Sequence, residues 1–120
     1  MNSITNIINS ITKDIYTDKK TNANRNFFYS SMLHYAISLE IALNSYNNKF
    51  ISFEKLCLII PKPLGSRSSI KSILDHGVEN NFFIKEIEVT DKRIKKYRLS
   101  EEFSLMITNW YLEKKVKFIN

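Results

Sequence analysis

A short run of basic side chains gives this sequence its clearest chemical capacity. It lies in VTDKRIKKYRLS, residues 89–100, where only Ile94 and Tyr97 interrupt the lysines and arginines from Lys92 to Arg98. Ammonium and guanidinium groups at this density bind phosphate oxygens and other anions. Lysines also keep exposed hairpins soluble and protect edge strands from aggregation, so a solvated surface is the alternative interpretation.

A second polar segment, SRSSIKS over residues 66–72, offers hydroxyl groups and two cations on one side of a predicted helix. Arg67 has the planar fork that pairs with two acceptors of guanine, and serine hydroxyls contact phosphates or bases. Serines and a lysine on an exposed helix face are also common solvated residues. The candidate contact residues of this segment are Ser66, Arg67, Ser68, Ser69, Lys71 and Ser72.

Catalytic and metal-binding patterns do not occur in the sequence. His34 lies on a predicted apolar helix and is expected in the core, whereas His76 is expected on the surface. Cys57 follows a leucine and precedes another, so it is expected to be buried and unreactive. No glycine-rich phosphate loop, nucleophile–base set or zinc-ligand spacing is present. The sequence therefore predicts a protein that is not an enzyme and has neither cofactor nor metal.

Length and charge narrow the possible partners. The 120 residues suit one compact domain, and a net charge of +6 with an isoelectric point of about 9.4 favours polyanions, nucleic acid before anionic membrane. The single cysteine indicates a reducing compartment. No apolar stretch approaches the roughly 20 residues of a membrane-spanning helix, and the N-terminus lacks the features of a signal peptide. A cytoplasmic protein without membrane contact is the expectation.

The elements ahead of the polar segments are predicted to be helices, over residues 1–48. Isoleucines at helical spacing form a narrow apolar stripe on the first helix, and a polar loop follows over residues 17–25. The next helix runs from residue 26 to about residue 46. Its apolar surface is too wide for a helix with one half in water, so we predict that it is the central helix.

Between residues 50 and 100 the pattern predicts a helix-turn-helix followed by a β-hairpin. Ser52 caps a short helix that PKPLG ends, and Ser66 caps a second helix. FFIKEIEV and IKKYRL then alternate on either side of a polar turn, which is typical of paired strands. Ser100 begins a last helix over residues 101–120, which carries an apolar stripe rich in aromatic residues.

This order of elements is that of a winged-helix domain, and the sequence resembles the MarR-type winged helix-turn-helix regulators. That family carries Asp-x-Arg at the tip of the hairpin, or wing, then five residues and Leu-Thr. Here Asp91 and Arg93 are followed by IKKYR and then by Leu99 and Ser100.

The resemblance covers roughly residues 50–105. SSIKSILDHGVENNFFIKE, with Asn81 where a glycine is common, is similar to the family's recognition helix and the start of its first wing strand. The chain departs from the family in having one C-terminal helix where two are usual, and in its PKPLG break. These departures put the family's dimer geometry and ligand cleft in question for this chain.

The resemblance implies a mostly α-helical fold with a small β-hairpin, whose second helix enters the major groove and whose wing lies at the minor groove. It implies that Arg93 enters the minor groove and that Asp91 holds Arg93 in position. The predicted wing contacts are Asp91, Lys92, Arg93, Lys95, Lys96 and Arg98.

The terminal helices carry more apolar surface than one small body needs to cover, which predicts a homodimer. The alternative is that these residues complete the core of a single chain. In a two-fold dimer the recognition helices lie about one turn of DNA apart, roughly 34 Å. The predicted interface consists of Ile4, Ile7, Ile8, Ile11, Trp110 and Tyr111.

The function that the sequence predicts is sequence-specific regulation of transcription through double-stranded DNA. The alternative is a winged-helix protein-interaction module whose basic residues serve solubility. Nonspecific or RNA binding comes third, because the sequence indicates no aromatic platform for RNA. A small-molecule effector fits between the helices and the DNA-binding lobe, although no set of residues identifies it.

Overall fold

The computed structural model describes residues 2–16 and 22–119, and within them helices surround a small sheet. The helices are α1 (Ser3–Tyr16), α2 (Ala23–Phe28), α3 (Met32–Ser45), α4 (Phe53–Ile59), α5 (Arg67–Glu79) and α6 (Glu101–Ile119). A single 3₁₀ turn (Lys62–Leu64) lies between α4 and α5, and the strands are β1 (Ile51–Ser52), β2 (Phe83–Ile87) and β3 (Lys95–Leu99). The predicted mostly α-helical winged-helix fold is confirmed.

The core forms where the apolar faces of α3, α5 and α6 meet the inner face of the sheet. Ile37 of α3, Leu74 of α5 and Phe103 of α6 are fully buried there, and Phe28 of α2 joins them. Burial of such side chains stabilises the fold by roughly 1.5–3 kcal/mol each. Central placement of α3 therefore follows from its wide apolar surface, as the sequence predicts.

The single long helix predicted from residue 26 to about residue 46 is wrong, because α2 and α3 are separate. Ser31 caps α3 by accepting a hydrogen bond from the backbone N–H of His34, at 3.1 Å. The hydroxyl of Ser30 bonds back to the carbonyl of Asn26, at 2.5 Å. Consecutive serines offer the backbone these alternatives to a continuous helix. The predicted loop over residues 17–25 is described only from residue 22 onward, and Ala23–Arg25 are already helical.

The helix-turn-helix is built from α4 and α5, with the predicted caps at both starts. The Ser52 hydroxyl accepts from the N–H of Lys55 at 3.1 Å, and the Ser66 hydroxyl accepts from the N–H of Ser69 at 3.2 Å. These bonds satisfy backbone donors that the first turn of a helix leaves without partners. The caps fix where α5 begins and therefore which residues occupy its exposed first turn.

The wing is an antiparallel hairpin of β2 and β3, and β1 pairs with the other edge of β3. Tyr97 lies opposite Ile51 on one side and Lys85 on the other. Tyr97 and Leu99 are buried and turn the inner face of β3 toward the core. The backbone N–H of Leu99 also donates to the hydroxyl of Ser45, which ties the sheet to the end of α3.

The link from α5 to β2 depends on two unusual positions. Asn81 has a φ of 62°, in the left-handed region where glycine and asparagine are favoured, which explains an asparagine where a glycine is common. Gly77 lets the ring of Phe83 approach the helix backbone. A Cβ at residue 77 would overlap Cδ2 of Phe83 and lie 2.6 Å from Cε2. Helix α5 and the first wing strand are therefore packed directly against each other.

Helices α1 and α6 pack together at one end of the molecule around a set of buried charges. Asp14 lies between Arg25 of α2 and Lys114 of α6, and its Oδ2 accepts from Lys114 Nζ at 2.8 Å. Arg25 Nη2 also donates to Oε2 of Glu113, at 2.9 Å. Such a network fixes the relative positions of three helices. Among the described residues, no helix is both long and apolar enough to cross a membrane.

Candidate nucleic-acid interface

The exposed face of α5 carries the first set of predicted contact residues. All six, from Ser66 to Ser72 with the buried Ile70 left out, are exposed to solvent. Ser66 holds the local geometry, since its hydroxyl lies 3.0 Å from that of Ser68 and 3.1 Å from that of Ser69. The first turn of α5 thus presents a cluster of hydroxyl groups that can donate to and accept from a ligand.

Arg67 does not extend freely from this face. Its Nη1 and Nη2 donate to the two carboxylate oxygens of Glu54, at 2.9 and 2.7 Å, and its guanidinium lies 5.0 Å from the ring centre of Phe53. The hydrogen bond from Arg67 lowers the pKa of the Glu54 carboxyl. The planar fork predicted to bind guanine is therefore occupied by α4 in the free protein, and base contact requires that it leave Glu54.

Lys71 also has an acidic partner on the same helix. Its Nζ lies 2.6 Å from Oδ2 of Asp75, one turn further along, and both side chains are about half exposed. Pairs of this kind on a helix surface contribute only about 0.3–0.5 kcal/mol. The contact is therefore weak enough to exchange for a phosphate oxygen.

The tip of the wing holds a well-defined arginine. Nε and Nη2 of Arg93 donate to the two oxygens of Asp91, each at 3.0 Å, and the backbone N–H of Arg93 donates to Oδ1 at the same distance. The side-chain hydrogen bond from Arg93, and then the backbone one, lower the pKa of the Asp91 carboxyl. The Arg93 side chain is 89% exposed. A bidentate contact thus holds an arginine outward in one pose, as the sequence predicts for these two residues.

The other wing cations divide between two faces of the hairpin. Lys95 shares the face of Tyr97, whereas Lys96 and Arg98 lie on the opposite face, where Lys96 pairs with Glu88. Arg98 packs over the ring of Phe50, with 5.7 Å from its guanidinium carbon to the ring centre. The strip that reads as uniformly basic in the sequence is therefore partly neutralised by Glu88 and Asp91.

A groove of about 510 Å³ brings the two predicted sets together. Lys71 of α5 lines it on one side, and Arg93 and Lys95 of the wing line it on the other. Asp75 and Asp91 lie in the same groove, so its walls carry both signs of charge. Helix α5 and the wing thus form one continuous concave surface on the same side of the molecule.

The predicted interface residues of the terminal helices do not form one exposed surface. Ile4 and Ile8 are 64% and 56% exposed, and Tyr111 is also exposed. Ile7 and Ile11 are half-buried. Trp110 packs within the chain. Its ring lies edge-on to Phe28 at 5.4 Å, and its Nε1 donates to the hydroxyl of Tyr29 at 2.5 Å.

Some functional features have no clear signal in the sequence. Glu54 is separated from Arg67 by the whole break between α4 and α5, so only the folded turn brings them together. His34 and His76 lie on different helices but line the same cavity. Asp14 reads as an ordinary polar residue of α1, yet it is 6% exposed and bound by two cations. A long-range charge pair leaves no periodic pattern from which it could be predicted.

The fold, with the exposed and capped helix α5 followed by the β2–β3 hairpin, is that of a winged-helix protein. Among solved structures, heme sensor protein PefR from Streptococcus agalactiae in complex with heme superimposes with a TM-score of 0.56 at 16% sequence identity, over 91% of this chain and 69% of that chain. PefR with heme and carbon monoxide gives a TM-score of 0.55 at 15% identity and the same coverage of both chains.

Heme-free PefR gives a TM-score of 0.53 at 15% identity, over 91% of this chain and 87% of that chain. At such low identity the likeness establishes the fold alone. No protein-family model matches the sequence, and no curated protein matches it. The function of this chain therefore has to be argued from its own residues.

Proposed function

We propose that this protein is a sequence-specific, double-stranded DNA-binding regulator of transcription, of the MarR type and not an enzyme. The observation that carries the proposal is the Asp91–Arg93 contact, because it holds an exposed guanidinium outward at the tip of a wing. In this proposal α5 lies in the major groove and Arg93 in the adjacent minor groove, whose negative potential attracts arginine.

In this proposal, the position of each polar residue decides which part of the DNA it contacts. The hydroxyls of the first turn of α5 contact phosphates and base edges, and Lys71 exchanges Asp75 for a phosphate. Lys92, Lys95 and Arg98 have no carboxylate partner within 4 Å in the part of the chain that the structure describes, so they are available to the DNA backbone. The proposed contacts are those of α5 and the wing given above.

The proposed working form is a homodimer in the cytoplasm, made of one domain per chain with residues 1–48 and 101–120 flanking the DNA-binding lobe over 50–100. Ile4, Ile8 and Tyr111 provide its exposed apolar surface. Two-fold symmetry would place two copies of α5 in successive major grooves. A small-molecule effector would act between the terminal helices and that lobe.

The experiment that tests the proposal is binding of labelled random-sequence duplex DNA across a series of salt concentrations. We expect the logarithm of the affinity to fall with the logarithm of the salt concentration, with a slope of about −0.9 for each phosphate neutralised. Measurable affinity with a steep slope would support the proposal and allow selection of an operator.

The alternative is a winged-helix module that contacts another protein. The groove favours it to a limited degree, because Asp75 and Asp91 place negative charge beside the cations. Duplex DNA that does not bind even at low salt would contradict the regulator and support this alternative. Binding to single-stranded RNA with equal affinity would contradict both.

A further inference from the structure

A polar cavity lies between the start of α3 and the end of α5, apart from the DNA-facing groove. Its volume is about 300 Å³, and both histidines of the chain line it. Asn26, Ser30 and Asn80 contribute polar groups to its wall, and the ring of Phe27 forms the apolar part. The cavity therefore joins two imidazoles, separated in sequence, that no part of the proposed DNA contact uses.

The two imidazoles lie against the same phenyl ring. The ring centre of Phe27 is 5.0 Å from that of His34 in an edge-on contact and 5.9 Å from that of His76 in a stacked one. Phe27 thus holds both imidazoles at the wall of the same cavity.

One nitrogen of His34 already has a partner. Its Nδ1 lies 2.7 Å from the hydroxyl of Ser31, the residue that caps α3. When Nδ1–H donates to this hydroxyl, the lone pair is on Nε2, which has no hydrogen-bond partner among the described residues. Metal-binding histidines commonly hold their second ring nitrogen in a hydrogen bond of this kind.

We propose that His34 and His76 together bind a hydrated divalent transition-metal ion, such as Zn²⁺, Ni²⁺ or Co²⁺. Imidazole nitrogen is a preferred ligand of these ions, whereas Mg²⁺ and Ca²⁺ prefer oxygen. No third histidine, cysteine or carboxylate joins the pair within the described residues. Water completes the coordination, because Asn80 turns its amide nitrogen and not its oxygen toward His76. The ion is therefore exchangeable and its affinity is moderate.

The position of the site gives it a consequence for α5. His34 is in the first turn of α3 and His76 is in the last turn of α5, so a bound ion would link the central helix to the recognition helix. This consequence depends on the proposed function, because it assumes that α5 contacts DNA. Binding of the ion itself does not depend on it.

Calorimetric titration of the full-length chain with Zn²⁺, Ni²⁺ and Co²⁺ tests the site. We expect one ion per chain, no binding of Mg²⁺, and at least about a tenfold loss of affinity in either His34→Gln or His76→Gln. Cys57→Ser is the matched control, because Cys57 carries the one thiol in the sequence and lies away from this cavity. Circular dichroism of each variant verifies that it is folded.

Four outcomes would overturn the proposal. They are absence of saturable binding, binding that survives both histidine substitutions, dependence on one histidine alone, and loss of binding in Cys57→Ser. A parallel titration with hemin shows whether the two histidines bind a free metal ion or the iron of a porphyrin. Hemin binding that needs both histidines, without binding of any free ion, would also contradict a site for hydrated ions.

The effect of the ion on DNA affinity is a second measurement. It distinguishes failure of the metal site from failure of the proposed function. If the protein binds duplex DNA, we expect saturating Ni²⁺ to change its affinity severalfold, and His34→Gln to abolish that change. A protein that binds the ion through both histidines but binds no DNA would retain the site and contradict the regulator. A DNA-binding protein that binds no ion would contradict the site alone.

Discussion

Arg93 is the residue on which the proposed interface depends most. Its guanidinium makes two hydrogen bonds to Asp91 and remains 89% exposed, so the side chain is ordered without being covered. Ordering an arginine before binding reduces the conformational entropy that is lost when it enters a groove. In the proposed interface the acidic partner therefore prepares the cation for the groove more than it stabilises the fold, because ion pairs on an exposed surface contribute little to stability.

Arg93→Ala is expected to weaken binding to duplex DNA by about 1 kcal/mol or more, roughly fivefold, without changing the free energy of unfolding. Arg93→Lys keeps the charge but loses the bidentate contact. Its affinity for DNA should therefore lie between that of the unmodified protein and that of Arg93→Ala. Lys115→Ala, an equal change of charge at an exposed position of α6, is the control. Equal affinities of the Arg93 and Lys115 variants would remove the wing tip from the interface.

Arg67 differs from Arg93, because both sides of its guanidinium already donate to Glu54 and it would have to leave Glu54 to contact a base. We expect Glu54→Gln to strengthen duplex binding, since Arg67 is then released, and we expect this gain to vanish in an Arg67→Ala background. Glu102→Gln, an exposed position at the start of α6, reports the effect of charge alone. Affinities would be measured by fluorescence anisotropy, and an equal gain in both glutamine variants would exclude a specific release of Arg67.

At the scale of the element, the contact between α5 and the first wing strand decides how precisely helix and wing are positioned. Gly77 leaves room for Phe83, whose side chain is 2% exposed and packs among Phe27 and Phe103. Alanine has a better helix propensity than glycine by about 1 kcal/mol. Overlap with a buried ring costs about 1–3 kcal/mol, so the steric effect wins.

Gly77→Ala is therefore expected to lower the free energy of unfolding, by up to about 2 kcal/mol after the gain in helix propensity is subtracted. Glu79→Ala, an exposed position on the same helix, should change it by less than about 0.5 kcal/mol. Urea denaturation followed by circular dichroism measures both. A more stable Gly77→Ala variant would show that Phe83 can move away from α5.

The ion network between α1, α2 and α6 provides a second test at this scale. Asp14→Asn removes the charge that faces Arg25 and Lys114 and leaves these cations buried, so we expect a loss of about 3 kcal/mol in unfolding free energy. Asp75→Asn makes the same chemical change in an exposed pair with Lys71 and should cost less than about 0.5 kcal/mol. Equal losses would mean that the buried pair is fully screened.

Elements were predictable where a pattern is long enough to be seen. The caps at Ser52, Ser66 and Ser100 and the alternation in the wing predict α4, α5, α6 and the hairpin near their observed positions. β1 has only two residues, too few to show an alternation, and it exists because β3 offers an edge. The break between α2 and α3 depends on two serine hydroxyls that compete with the helix, an effect that apolar periodicity does not contain.

At the scale of the whole molecule, α1 and α6 decide how much apolar surface is left exposed for a second copy of the chain. Trp110 of α6 packs on Phe28 and Tyr29 of its own chain. Helix α1 lies against α6, where Ile11 is half-buried while Ile4 and Ile8 remain exposed. The sequence predicts apolar stripes correctly but cannot tell which half of a stripe the chain covers itself. A narrower surface than the predicted one is thus left for a partner.

Substitution of Ile4 and Ile8 together by aspartate is expected to convert a dimer to a monomer, because two exposed apolar contacts become charged. Both side chains are largely exposed, so the free energy of unfolding of the monomer should change little. Analytical ultracentrifugation measures the mass, with Leu58→Asp, an exposed position on α4, as the control. A double variant that still sediments as a dimer would place the interface elsewhere.

The buried aspartate of α1 also imposes an order on biosynthesis. Asp14 meets Arg25 only 11 residues later in the chain, but Lys114 follows it by 100 residues. On a ribosome that adds about 5–20 residues per second, the first pair can form several seconds before the second cation exists. During this interval α1 has no α6 to pack on. Packing of α6 therefore completes the helical end of the molecule after the residues of the wing have been synthesised.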